Sequence, residues 1–205
     1  MKRTLKTLLC ALLAVSGARS AHAGELDRAA AALAGSEAQF TQSFTPKGFS
    51  RTEVESGTVT FGTLPMMRWE YQAPEQKLFV FDGVKSWLYV PADKQVTIAE
   101  LDDDKRAALP FLLISDPNAR SRSYDVRESS SGRTRTVTLD SKVHGSLIRN
   151  IRVTVDGSSH AIQKVEYSDR EGNQTVFAFS GMHKKVAGRE TFQFTPPADA
   201  QVVTQ

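Results

Sequence analysis

Cysteine is almost missing from this chain: Cys10 is the one cysteine in 205 residues. It lies inside an N-terminal apolar run, so the rest of the chain has no disulfides, thiolate metal sites or cysteine nucleophiles. A lipid-modified cysteine needs a small residue before it, and Leu9 stands there. Long apolar stretches are also lacking. The run Leu8 to Val15 falls short of the roughly 20 residues that span a bilayer, and nothing later approaches that length. Catalytic motifs are absent too. His144, His160 and His183 are too far apart for a local zinc motif. There is no G-x-S-x-G elbow. Gly181 and Gly188 flank basic residues, but Arg189-Glu190 stands where a phosphate loop needs Lys-Ser/Thr. Asp102-Asp103-Asp104 lacks the later glycine and glutamate of a calcium loop and suits a helix N-terminus instead. These absences point away from an enzyme and from any metal or cofactor. Only carboxylates brought together by folding leave room for a hydrolase.

What is present begins at the N-terminus. Lys2, Arg3 and Lys6 precede the apolar run, and Ala21-His22-Ala23 closes it with small residues at the peptidase positions. This is the pattern of a secretory signal peptide. The sequence predicts cleavage after Ala23 and one domain over 24–205. A disulfide-free exported chain points to a bacterial periplasm. Residues 1–23 hold four of the 26 basic residues and none of the 23 acidic ones, so cleavage leaves 22 basic against 23 acidic. That balance provides no field for nucleic acid or an anionic membrane.

Hydropathy patterning divides the remainder. Glu25 to Gln42 reads as a helix, with Leu26, Ala29, Ala30, Leu33, Ala34 and Phe40 near helical spacing. After Pro46 the period becomes two. Val59 and Phe61, Trp69 and Tyr71, Val137 and Leu139, Ile151, Val153 and Val155, Val165 and Tyr167, Phe177 and Phe179, and Phe192 and Phe194 alternate with polar neighbours. Such alternation predicts strands with one apolar and one wet face. Asp82-Gly83, Ser131-Gly132, Asp156-Gly157 and Arg170 to Asn173 mark turns between them. The result is a mainly β, antiparallel meander of about ten strands, wide enough to curl into a half-barrel. One interruption, Lys105 to Ser115, reads as a second helix broken at Pro110 and ending in the apolar tip Phe111-Leu112-Leu113-Ile114. Two helical pieces over a wide sheet allow either a ligand cavity or a filled core.

Several segments in order carry a resemblance. They are Phe40-Thr41-Gln42, Gly57 to Phe61, Pro65, Arg68-Trp69-Glu70-Tyr71 with Pro74, Asp82-Gly83 before Trp87-Leu88-Tyr89, Pro91 and Gln95-Val96, Leu109 to Ile114, and Phe192 to Pro197. Together they resemble the LolA family of periplasmic lipoprotein carriers over nearly the whole exported chain. The resemblance implies an incomplete antiparallel β-barrel with an α-helical lid over a hydrophobic cavity. It implies a monomer that takes acylated lipoproteins from an inner-membrane lipoprotein-releasing ABC transporter and passes them to an outer-membrane receptor. It marks Trp69, Tyr71, Phe79, Phe81, Trp87, Tyr89, Phe111, Leu112 and Ile114 as expected cargo contacts, and Leu33, Phe40 and Pro110 as lid residues. Two other expectations share the fold: carriage of a different lipid, and a binding module that senses lipoproteins. One departure stands out. Many family members place an arginine before the proline that Pro65 resembles, where it helps hold the lid; here Leu64 occupies that place and Arg68 is the nearby substitute.

Overall fold

The computed structural model describes residues 24–101, 106 and 109–204. The expected signal peptide and the acidic run Asp102–Asp104 lie outside the described residues. Helix α1 spans Glu25–Leu33. Strands β1 to β6 follow at Ser36–Thr45, Glu53–Phe61, Met67–Ala73, Lys77–Phe81, Lys85–Val90 and Gln95–Glu100. Two short helices, α2 at Pro110–Ser115 and α3 at Pro117–Ser123, interrupt the sheet. Strands β7 to β12 are Tyr124–Ser131, Thr134–Ser141, Ile148–Asp156, Ile162–Asp169, Gln174–Lys184 and Gln201–Thr204.

The strands form one sheet in the order β12-β6-β5-β4-β3-β2-β1-β11-β10-β9-β8-β7. It is two antiparallel meanders joined where β1 meets β11, and it stays open between β7 and β12. Strand β12 pairs parallel to β6. The four turn signals fall at hairpins, between β4 and β5, β7 and β8, β9 and β10, and β10 and β11. At Asp82-Gly83 the aspartate Oδ1 accepts from the amides of Val84 and Lys85, both at 2.8 Å, while Gly83 adopts φ 104°.

Register fixes which side chains share a face, because successive residues point to opposite sides. The pairs Ala38–Val59, Val59–Trp69, Met67–Phe81 and Trp69–Phe79 carry one apolar face across the first meander. Val165–Phe177, Val153–Val165, Val137–Val153 and Leu139–Ile151 continue it across the second. The helices pack on this inner face. Leu26, Ala29, Leu33, Phe111, Leu112, Leu113 and Ile114 belong to the same buried cluster as Phe61, Trp69, Ile151 and Val153.

Three expectations need correction. The first helix stops at Leu33, because Gly35 turns the chain with φ 63° and Ser36 starts a strand. Phe40 is therefore a strand residue of β1 and not part of a lid helix. The expected break at Pro110 is present: Arg106 is helical, Leu109 is extended, and Pro110 opens α2 at the first helical position, where its missing N–H costs no hydrogen bond. Phe192 and Phe194 are not on a strand: Phe192 ends a short 3-10 turn, and Phe194 follows it in irregular chain.

Candidate functional site: a lidded apolar interior

The inner face of the first meander, joined by β11, is an aromatic nest. Phe40 from β1 stands edge-on to Trp69 and Tyr71 of β3, each at 4.9 Å between ring centres. Phe61 lies 5.9 Å from Trp69, and Phe177 of β11 lies 5.2 Å from it. Into this nest α2 inserts Phe111, whose ring is 4.9 Å from Trp69, 5.3 Å from Phe177 and 5.9 Å from Phe179. Aromatic pairs at such distances and angles add to the apolar burial that brings them together. Gly57 makes room on β2. A Cβ there would sit 1.9 Å from the Glu70 carbonyl oxygen, so only glycine lets β2 and β3 approach at this bulge.

The expected cargo residues divide by face. Trp69, Tyr71, Phe79, Phe81, Phe111, Leu112 and Ile114 all belong to the inner cluster or pack against it. Phe40, expected in the lid, is in the wall of the nest. Trp87 and Tyr89 lie on the opposite face. Trp87 pairs with Val80, and Tyr89 with Val96, whereas Phe79 and Phe81 pair with Leu88 and Ser86. Their face is covered by the C-terminal segment: Tyr89 lies 5.6 Å from the Phe194 ring, and Phe192 packs against Gly62, where a Cβ would come within 2.6 Å of its ring. The reason is simple parity: in Trp87-Leu88-Tyr89 every residue is apolar, so alternation alone cannot choose the inward one.

The two lid helices are held differently. Helix α1 is tied at both ends to the sheet. At its start the Glu25 amide donates to Glu128 Oε1 of β7 at 2.8 Å, and the buried Glu25 carboxylate meets His160 Nδ1 at 2.7 Å and Arg28 at 2.8 Å. Burial pushes the Glu25 carboxyl up, but the hydrogen bonds from Arg28 and His160 outweigh it and leave the group below the ordinary glutamate range. At the other end Lys184 Nζ of β11 donates to the carbonyl oxygens of Ala31, Ala32 and Ala34, at 3.3, 2.9 and 2.8 Å. A cation there satisfies open carbonyls and matches the helix dipole.

Helix α2 has no such tethers to the sheet among the described residues. Its polar anchor is Arg120 of α3, a buried arginine. Arg120 Nη1 donates to the Leu113 and Ile114 carbonyl oxygens at 3.0 and 2.5 Å, and Nη2 pairs with Asp27 of α1. One guanidinium thus joins α1, α2 and α3. Arg68, the expected substitute for the missing arginine, faces the other way: it bonds Glu70 at 2.6 Å and the Thr191 carbonyl at 3.4 Å, on the side of the C-terminal segment. Nothing in the sequence marks Arg120 as buried; its partner Asp27 is 93 residues away.

Beside α2 lies a cavity of about 810 Å3, within the 300–1,000 Å3 usual for small-molecule pockets. Leu64, Leu112, Tyr124 and Leu147 line it together with Arg106, Arg122 and Arg170. Leu64, Leu112 and Tyr124 also belong to or pack against the inner cluster, so the cavity adjoins the lidded interior.

Comparison with known proteins matches this arrangement. The model of the family described as outer membrane lipoprotein carrier protein LolA covers residues 31–195. The chain belongs to the LolA family. An outer-membrane lipoprotein carrier protein of Xanthomonas axonopodis pv. citri is 31% identical over 202 residues, covering 97% of this chain and 94% of the relative. One from Xylella fastidiosa is 32% identical over 153 residues, covering 74% and 72%. Among solved structures, an uncharacterized conserved protein from Thermus thermophilus aligns with a TM-score of 0.58 at 15% identity, over 88% of this chain and 97% of that one. A chain of the Pseudomonas aeruginosa MucA/MucB complex aligns at 0.50 and 17% identity, over 88% and 62%. These two share the fold, an incomplete barrel with a helical lid. LolA is a family of carriers and not of enzymes.

Proposed function

We infer that this protein is a periplasmic carrier that shields the acyl chains of lipoproteins between the inner and outer membranes. The observation that carries this reading is the docking of a short, weakly tethered apolar helix into an aromatic nest. Helix α2 puts Phe111 where a chain of methylenes fits equally well. Withdrawal of α2 exposes Trp69, Phe40, Phe177 and Phe179 to cargo, with α1 still fixed as a roof. In this reading Trp69, Tyr71, Phe79, Phe81, Phe111, Leu112 and Ile114 contact the acyl chains, and Leu33 belongs to the fixed part of the lid. The names of the relatives support lipoprotein as the cargo class. An inner-membrane lipoprotein-releasing ABC transporter then acts as donor, an outer-membrane receptor as acceptor, and the carrier works as a monomer after loss of residues 1–23.

The energetics are consistent with a passive carrier. Each methylene buried contributes about 0.8 kcal/mol, so exposing one long acyl chain to water costs on the order of 10 kcal/mol. Cargo must replace the contacts that Phe111 and its neighbours make in the closed state. Cargo affinity is therefore lower than the apolar burial alone implies, which permits release without ATP. Direction is set by the acceptor's greater affinity.

The test is to mix the protein lacking residues 1–23 with a detergent-solubilised triacylated lipoprotein, remove the detergent, and run size exclusion with native mass spectrometry. A soluble one-to-one complex is expected. If the lipoprotein precipitates as it does without the protein, the carrier reading fails.

A further inference from the structure

Three neighbouring loops at one end of the sheet form a basic rim with apolar tips. They are residues 46–52 between β1 and β2, 170–173 between β10 and β11, and 142–147 between β8 and β9. Hydrogen bonds stitch them together. The Lys47 amide donates to Asn173 Oδ1 at 3.0 Å, and the Arg170 amide donates to the Leu147 carbonyl at 2.9 Å. Arg149, near the start of β9, reaches across with Nη2 to the Arg170 carbonyl. The first loop is a built tip. The Thr45 and Thr52 hydroxyls meet at 2.8 Å across its neck. Above them the Phe49 amide donates to the Pro46 carbonyl at 3.1 Å, over Gly48 with φ 82°.

Two features of this rim have no role inside the molecule. Phe49 is 70% exposed and is the one aromatic among the large exposed apolar side chains of the described residues. Val143 and Leu147 are exposed with it. Scattered singly, such residues need no explanation; grouped on linked loops they mark an interaction surface. The charge is also one-sided. Counted with Arg149, the three loops hold Lys47, Arg51, Lys142, Arg149 and Arg170 against a single acid, Glu171. Lys47, Arg51 and Arg149 are exposed and make no ion pair among the described residues. Lys142 and Arg170 have only surface pairs, with Asp125 at 3.7 Å and Glu171 at 3.1 Å. Because residues 24–205 carry 22 basic and 23 acidic residues, this excess is local. It ends at Glu53 on β2 and at Glu75 in the next loop along.

We propose that the rim is a membrane-docking surface, with an anionic bilayer as its partner. The Phe49 ring enters the boundary between headgroups and acyl chains, and the unpaired cations around it meet lipid phosphates. A bilayer interface favours this combination of an aromatic ring and flanking Lys/Arg. The centre of a protein interface is instead depleted of lysine. One ring and a few cations give a reversible attachment, as a shuttling protein requires. Val143, Leu147 and Arg170 also wall the cavity beside α2, so docking brings that cavity to the lipid surface. The docking goes beyond the carrier reading and depends on neither the cargo nor the lid.

The experiment floats the protein lacking residues 1–23 with vesicles of phosphatidylethanolamine and phosphatidylglycerol in equal parts, or of phosphatidylethanolamine and phosphatidylcholine. The expected result is association with the anionic vesicles that is weaker at high salt and weak on the neutral ones. Phe49→Ser and Lys47→Gln/Arg51→Gln should each reduce it about fivefold. Val84→Ser, an equally exposed apolar residue on the β4–β5 hairpin at the opposite end, should leave it unchanged. Residues 24–205 contain no cysteine, so Phe49→Cys and Val84→Cys each give one site for an environment-sensitive dye. The dye at 49 should shift to the blue on anionic vesicles, and the dye at 84 should not. Equal association with both kinds of vesicle, association that survives both rim variants, or equal shifts at 49 and 84 would overturn the proposal. So would a protein that ignores lipid vesicles but binds native membranes until they are treated with protease, a result that assigns the rim to a protein partner. The soluble-complex test of the carrier reading uses no bilayer, so either conclusion can fail alone.

Discussion

The two helices of the lid, α1 and α2, cover the same apolar face and are built on opposite principles. Helix α1 has nine residues, a capped start and polar ties to three different parts of the sheet. Helix α2 has six residues, five of them buried and apolar, and one arginine holding its end. A helix that short is not stable alone in water; packing maintains it. In the proposed cycle α1 is the fixed roof and α2 the plug, so the part that moves need not be loosely packed. It needs contacts that cargo can replace. Apolar contacts are replaceable by acyl chains, whereas the salt bridges and carbonyl caps of α1 are not.

The contrast can be broken from either side. The largest effect is expected from Phe111→Ala, which empties the centre of the nest. It should cost about 3–5 kcal/mol in denaturant unfolding, while binding of a small apolar fluorescent probe increases, because the plug no longer competes. Next is Arg120→Leu. It removes the shared guanidinium and leaves Asp27 unpaired, but Asp27 is partly solvated, so about 1–3 kcal/mol is expected. Hydrogen exchange should accelerate in α2 far more than in the β8–β9 hairpin. Lys184→Met frays only the end of α1, at about 1 kcal/mol, and cargo binding should be unaffected.

The smallest effect concerns pH. The Glu25 carboxyl is lowered in the folded state, so its ties stabilise at pH values above the unfolded value, about 4.3. That stability is lost as pH falls through the folded value. Exchange at the start of α1 should therefore accelerate below about pH 4.3, before the α2 contacts loosen. A Glu25→Gln protein should lack that step.

Much of the sheet is legible in the sequence because alternation and turn residues are local signals. Asp82-Gly83 and Asp156-Gly157 name their own hairpins, and Val153 or Trp69 declares a half-buried strand. The faces are harder. Trp87 and Tyr89 point away from the nest because β4 and β5 pair Phe79 with Leu88, and no local pattern encodes that register. Phe40 reads as helical because the alanine-rich spacing runs on past Gly35; the glycine is the signal that ends the helix. The plug is visible as the apolar tip Phe111 to Ile114. Its latch is not, since Arg120 lies in Asn118-Ala119-Arg120-Ser121-Arg122, a stretch that reads as solvent-exposed until the fold brings Asp27 to it.

Two tryptophans, one on each face, allow the most direct test of the central claim that acyl chains enter the nest vacated by α2. Two proteins are needed, Trp87→Phe, which retains Trp69, and Trp69→Phe, which retains Trp87. Each is titrated with an acylated peptide carrying bromine along its chain, a short-range fluorescence quencher. The account predicts strong quenching of Trp69 and little of Trp87. Equal quenching of both, or of Trp87 alone, would place the chain outside the lidded interior and contradict it.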